Sequence, residues 1–164
     1  MRLVPDHRTP GPSNSSPSTT YKPITGHCYC GAIEWQLVGK VAFTANCHCK
    51  TCQCLAGSAY GSTSLMVYDD KGIEFTRGQP KVFHDTADSG NPTQRGFCST
   101  CGTVLFNHVS EGRKDQHWAM RTGSIVGIPA ASPMMDKEIF MKSKPAWVPS
   151  VQSPGNQYEG MPDD

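Results

Sequence analysis

Eight cysteines gathered into three short groups constrain this chain more than any other feature. They read Cys28-Tyr29-Cys30-Gly31, Cys47-His48-Cys49-Lys50-Thr51-Cys52-Gln53-Cys54 and Cys98-Ser99-Thr100-Cys101-Gly102. Thiolates about 2.3 Å from a tetrahedral zinc ion lie roughly 3.8 Å from one another, a separation that two intervening residues reach in a tight turn. Cys98 and Cys101 have that gap, and the following Gly102 helps to shape such a turn. In a strand, a one-residue gap puts both side chains on one face with Cα atoms about 6.6 Å apart, so Cys28 and Cys30 converge on one ion if the chain bends at Gly31. The two pairs predict a closed four-thiolate site of structural type, with disulfides or unliganded thiols as the alternatives. Such a site would tie an early strand to a late one and replace core that a small β domain lacks.

The middle group behaves differently. Cys47, Cys49 and Cys52 combine a one-residue and a two-residue gap, enough for three sulfurs around one ion with the fourth position left open, which is the arrangement of a catalytic zinc. Two alternatives stand beside it: a closed site with Cys54 as fourth ligand, and buried thiols without metal. His48 lies between two ligands, where extended geometry turns its ring away from the ion. With Gln53 and Cys54, which follow the third ligand, it is a candidate to line the substrate site. His84, His108 and His117 read as surface or core histidines, and Trp35, Trp118 and Trp147 as core. No Ser-His-Asp set or Gly-rich phosphate loop is present, and no general acid or base stands out.

The rest of the chain points to a turn-rich β protein. It has 164 residues, 16 of them Gly and 13 Pro. Ile33, Trp35 and Leu37 alternate with Glu34 and Gln36, the period of a half-buried strand. Phe75, Val82-Phe83, Val104–Phe106, Trp118–Met120 and Ile139–Met141 supply further short strands. Helix is expected only as a turn after Cys52 or around Asp69-Asp70. Residues 1–21 are polar and Pro/Ser-rich, with too little to bury, and read as a disordered arm. Residues 22–148 form one zinc domain, and 149–164 a Pro/Gly-rich C-terminal tail. The formal charge of +1 gives no electrostatic footprint for nucleic acid or an anionic membrane. Cysteines at about 5% of the chain, without a secretory core, are expected in a reducing, cytoplasmic compartment.

Read in order, Gly26-x-Cys28-x-Cys30-Gly31-Ala32-Ile33, Cys47-His48-Cys49-x-x-Cys52, Arg95-x-Phe97-Cys98-x-x-Cys101-Gly102-Thr103, Gly123-Ser124 and Lys144-Pro145-x-Trp147 resemble the glutathione-dependent formaldehyde-activating enzyme and centromere protein V family. The resemblance implies a β-tent fold of packed antiparallel sheets with two zinc ions per chain. It assigns Cys28, Cys30, Cys98 and Cys101 to the structural zinc and Cys47, Cys49 and Cys52 to the catalytic one. The activity it implies is that of a carbon–sulfur lyase acting on a small-molecule thiol or carbonyl. S-hydroxymethylglutathione would form from glutathione and formaldehyde, or a related reaction would run on a larger metabolite. The alternative is a noncatalytic, zinc-stabilised binding module, because a scaffold does not fix a function; redox sensing through Cys54 is a third option. Many members carry basic residues directly after the third ligand. Here Gln53 and Cys54 stand there, so a weaker grip on an anionic tripeptide is expected.

Overall fold

A computed structural model describes residues 24–59, 62–68, 72–87, 90–109, 117–126 and 136–162, and the expected N-terminal arm over 1–21 lies outside them. In chain order the strands are β1 (Thr25–His27), β2 (Glu34–Leu37) and β3 (Val41–Cys47), followed by the helix α1 (Lys50–Ala56). There follow β4 (Ser62–Val67), β5 (Ile73–Arg77), β6 (Lys81–Thr86), β7 (Pro92–Phe97), β8 (Val104–Val109) and β9 (His117–Arg121). After a 3₁₀ turn at Thr122–Ser124 come β10 (Lys137–Ile139), two further 3₁₀ turns and β11 (Gln157–Tyr158). The protein is mainly β, as the alternation and turn content predict. Among the described residues no helix is long and apolar enough to cross a membrane.

The strands form two sheets, one of three strands in the order β1-β2-β5 and one of eight in the order β11-β10-β3-β4-β9-β8-β7-β6. Pairing is antiparallel from β3 across to β6, whereas β10 runs parallel to both β3 and β11. The segment expected as a C-terminal tail therefore returns to the sheet. The Val151 and Gln152 N–H groups each donate to Glu138 Oε2 at 3.1 Å, and Gln157–Tyr158 extends the sheet beyond β10.

Successive residues of a strand face opposite sides of its sheet, and the large sheet buries something different on each side. Leu65, Met120 and Phe106 lie in register across β4, β9 and β8. They pack with Trp35 from the small sheet, with Ile33 just ahead of β2 and with Cys28 and Cys98 in the main core. Met66 and Ala119, each one residue from that row, belong to a second cluster with Phe43, Ala45 and Ile139. Gly96, opposite Phe106 on β7, completes the first row. A Cβ there would stand 2.0 Å from the Phe106 ring, so the ring lies directly across the glycine.

Several expectations shift. The helix begins at Lys50, ahead of Cys52, and the alternative at Asp69-Asp70 lies outside the described residues. The strand expected over 139–141 ends at Ile139 because Phe140 takes a left-handed φ of 59°. Trp147 is 68% exposed, against the expectation of core, because Val148 occupies the buried position beside it at 2%. Trp35 and Trp118 do pack inward: Trp35 is buried, and Trp118 lies against Phe106 and stacks on His108.

Gly96→Ala should lower the free energy of unfolding by about 1–3 kcal/mol through overpacking against Phe106. Urea denaturation followed by tryptophan fluorescence measures this, and an unchanged midpoint would mean that the ring can give way at no cost.

Candidate metal centres and active site

The first and last cysteine groups fold into similar turns. The Cys28 N–H donates to the Ile33 carbonyl at 3.0 Å and the Cys98 N–H to the Thr103 carbonyl at 2.9 Å; Gly31 and Gly102 each donate back to the first cysteine's carbonyl at 2.9 Å. Both glycines have left-handed φ, +72° and +75°, the backbone region in which a Cβ is strained. The two turns face one another: the Tyr29 N–H donates to Thr103 Oγ1 at 3.0 Å, and Cys30 Sγ lies 3.6 Å from Cys28 Sγ and 3.8 Å from Cys98 Sγ. All four sulfurs fall within 4.8 Å of one another. Separations close to the roughly 3.8 Å between thiolates around a tetrahedral ion mean that the residues fit a metal. The Thr103 hydroxyl holds the Cys101 thiol down to about 5, so this cluster already carries negative charge that a cation would neutralise.

The middle cysteines are brought together by a helix start. Cys49 is the N-cap of α1, and its Sγ accepts the Cys52 N–H at 3.3 Å, as a capping hydroxyl would. Cys47, the last residue of β3, completes a group of three whose sulfurs lie within 4.8 Å of one another. Hydrogen bonds from the Cys47 and Cys49 thiols, then the positive charge of Arg121, hold Cys52 down to about 2; hydrogen bonding to Cys49 and Cys52, with burial, pushes Cys47 far above the usual thiol range. The charge thus sits on Cys52, beside Arg121. Each cluster could hold a metal ion, and all eight cysteines are free of disulfides.

The three-cysteine group opens onto a cavity of about 730 Å³, counting the space at its open mouth. Its wall is the second face of the large sheet. Cys47 and Ala45 line it from β3, then Ser64 and Met66 from β4. Polar residues continue the face across the sheet: Arg121 and His117 on β9, Asn107 on β8, Arg95 and Thr93 on β7. Phe140 and Met161 bring the C-terminal segment to the rim. Arg121, 7% exposed, is held by Nη1 donating to Ser64 Oγ at 3.1 Å, and its Nη2 lies 3.9 Å from Cys52 Sγ.

The seven cysteines expected to bind metal therefore fall into the expected two groups. His48, Gln53 and Cys54, expected to line the substrate site, are absent from the cavity wall. His48, one residue past the end of β3, is fully buried and bonds Glu138 Oε1 through Nε2 at 3.0 Å. Gln53 donates to the carbonyls of His48 and Ser143, at 2.7 and 3.0 Å, and so ties the helix to the chain after β10. Cys54 is exposed and outside the metal group, because two residues along a helix turn its thiol away from that of Cys52. Positive charge reaches the cavity from the sheet: Arg95 and Arg121 are both buried and both line it. Sequence reading missed Arg121 and His117 as cavity-lining residues; they sit four residues apart on one face of β9 and carry no local motif.

Residues 23–143 match the family model described as glutathione-dependent formaldehyde-activating enzyme. No curated protein matches the chain. The family match covers most of the chain, which belongs to this family.

Metal analysis of freshly purified protein should give two ions per chain. Cys49→Ser should keep the fold and retain one ion, whereas Cys98→Ser, which breaks the clip between the sheets, should lose the fold with the metal. Equal loss of circular dichroism in the two variants would contradict this division.

Proposed function

We propose that this family member is a zinc-dependent enzyme of the carbon–sulfur lyase type that acts, in the cytoplasm, on a thiol or thiol adduct. The observation that carries the reading is the meeting of Cys47, Cys49 and Cys52 at the wall of a cavity shared with Arg121. All-sulfur donor sets select soft or borderline metals, which favours zinc. Cys28, Cys30, Cys98 and Cys101 would hold a structural ion, and Cys47, Cys49 and Cys52 a catalytic one. When bound, zinc supplies a positive charge that keeps a thiol ionised and polarises a carbonyl oxygen.

The reaction closest to the family's description is addition of glutathione to formaldehyde. A bond forms from sulfur to carbon, the carbonyl π pair moves onto oxygen, and the thiol's proton ends on that oxygen as S-hydroxymethylglutathione. Arg121 faces the charged end of this process. Anchored by Ser64, its guanidinium is set in place before reaction, and a preorganised donor of this kind stabilises charge developing on sulfur or oxygen. His117 lines the cavity four residues earlier on the same face of β9, about 13 Å from Arg121 at the rise of a strand, so it shapes the far part of the cavity and not the proton transfer. Met66, Ala119 and Ile139 give this end of the cavity an apolar wall. With Cys54 turned away from the three sulfurs, the enzyme reading is favoured over a closed, noncatalytic zinc module.

Zinc-loaded protein should accelerate formation of S-hydroxymethylglutathione from glutathione and formaldehyde, followed by NMR. Arg121→Met should lower kcat by about 100-fold with the metal content unchanged. Failure to accelerate addition to any thiol would favour the binding module.

A further inference from the structure

Two titratable side chains that take no part in the chemistry above, His48 and Glu138, are wholly excluded from solvent. Their strands are parallel neighbours, with Asn46 of β3 opposite Glu138 of β10 and Cys47 opposite Ile139, so Glu138 stands beside the point where the chain leaves β3 for the ligand loop. Its carboxylate reaches two elements. Oε1 lies 3.0 Å from His48 Nε2, and Oε2 accepts the Val151 and Gln152 N–H groups at 3.1 Å each. A carboxylate only accepts, so His48 Nε2 carries the proton. Nδ1, buried and without a partner among the described residues, is left as a bare acceptor.

Burying such a pair is a poor way to gain stability. Desolvation of both groups offsets most of their attraction, and apolar residues of the same volume often hold a core as well or better. The unpaired Nδ1 adds a further cost. What the pair does supply is fixed geometry, and its place decides what is fixed. His48 is the residue between Cys47 and Cys49, two of the three cysteines that meet at the cavity. Its N–H donates to the Ile139 carbonyl at 3.0 Å, its ring is held by Glu138, and its carbonyl accepts from Gln53 Nε2, which also donates to the Ser143 carbonyl. With the ring and both flanking peptide groups held, the directions in which the two neighbouring cysteines leave the backbone are held as well.

The second carboxylate oxygen carries this hold into the C-terminal segment. The Gln152 carbonyl accepts from Gln157 Nε2 at 2.6 Å, and from Gln157 the chain pairs with β10 as β11. Just beyond, the Gly160 carbonyl accepts the Phe140 N–H at 3.4 Å and Met161 reaches the cavity wall. We propose that Glu138 is a positioning residue that couples the Cys47–Cys49 ligand loop to residues 151–158, so that the three-cysteine site owes part of its metal affinity to the docked C-terminal segment. The inference rests on the proposed function for a metal ion at Cys47, Cys49 and Cys52. Coupling of this kind is reciprocal: a segment that steadies the ligand loop is itself steadied when the ligands are loaded. The four-cysteine cluster, whose Cys28 and Cys98 belong to the main core on the other face of the large sheet, stands outside the coupling.

Competition between the zinc-loaded full chain and a chromogenic chelator reads both sites in one titration, the three-cysteine ion being the one that Cys49→Ser loses. Glu138→Ala should weaken that ion about 10–100-fold, the usual effect of removing a group that orients metal ligands, and leave the four-cysteine ion unchanged. Glu138→Gln, whose oxygen can accept the two N–H groups while its amide nitrogen meets the other tautomer of His48, should restore most of the loss. If Glu138→Ala does not fold, hydrogen exchange of the wild type decides the matter: the Val151 and Gln152 amides should exchange about 10-fold faster once the chelator has taken the three-cysteine ion, a typical size for linked sites. Unchanged affinity in Glu138→Ala, a folded Glu138→Ala that loses both ions alike, or exchange at Val151 and Gln152 indifferent to the metal would overturn the coupling and leave the metal site standing. A wild type that takes up no ion at Cys47, Cys49 and Cys52 would overturn the proposed function and the coupling together.

Discussion

The contact on which this structure depends is the meeting of two cysteine turns, one between β1 and β2 and the other between β7 and β8. The three-stranded sheet is short, with strands of three to five residues, so a cross-link at its end adds to the packing that holds it to the large one. Cys28 and Cys98 are themselves core residues, packed with Trp35, Leu105 and Phe106, so a clip of four cysteines that could hold a metal ion shares its place with the hydrophobic core. The clip closes a loop of 68 positions between Cys30 and Cys98, whose entropic cost rises only slowly with length. With one face of the large sheet sealed in this way, the other is left to carry a cavity.

Strand register turns that division into a site. Leu65, Met120 and Phe106 meet the core, so Met66, Ala119 and Asn107 must face the other way. A slip of one residue would exchange the two rows and drive Arg121 and Arg95 into the apolar core. The arginines are thus held in the cavity by the same pairing that packs the core. Phe140, with its left-handed φ, then turns the chain so that the C-terminal segment lies at the rim and Met161 reaches the wall. Glu138 fastens that segment from within, accepting from Val151, Gln152 and His48.

How legible each element was follows from what its two faces touch. β2 was readable because Trp35 is buried while Glu34 and Gln36 meet more solvent. β3 was not, because Thr44, Ala45 and Asn46 are all buried and small or polar residues there erase the alternation. β7 hid for a related reason: its buried Thr93 and Arg95 are polar side chains on the cavity wall, so the inward positions read as surface. The metal groups were legible because chelation needs a few residues at short spacing. The cavity wall was not, because its members are neighbours through the sheet and far apart in the chain. Gln53 and Cys54 drew attention by adjacency to a ligand, yet the helix that begins at Lys50 turns them away from the cavity.

The positive charge of the site illustrates the same separation between chain and space. A basic pair after the third ligand would sit on α1, which closes only one end of the cavity. In this chain Arg121 stands at the cysteine end and Arg95 toward the opposite edge of the sheet, each buried and each held by a protein group, Ser64 for one and Asp85 for the other. A buried guanidinium without such a partner would be too costly to keep. The sheet supplies these partners from the strands beside each arginine, β4 for Arg121 and β6 for Arg95, so the same pairing that packs the core also keeps both charges on the cavity wall.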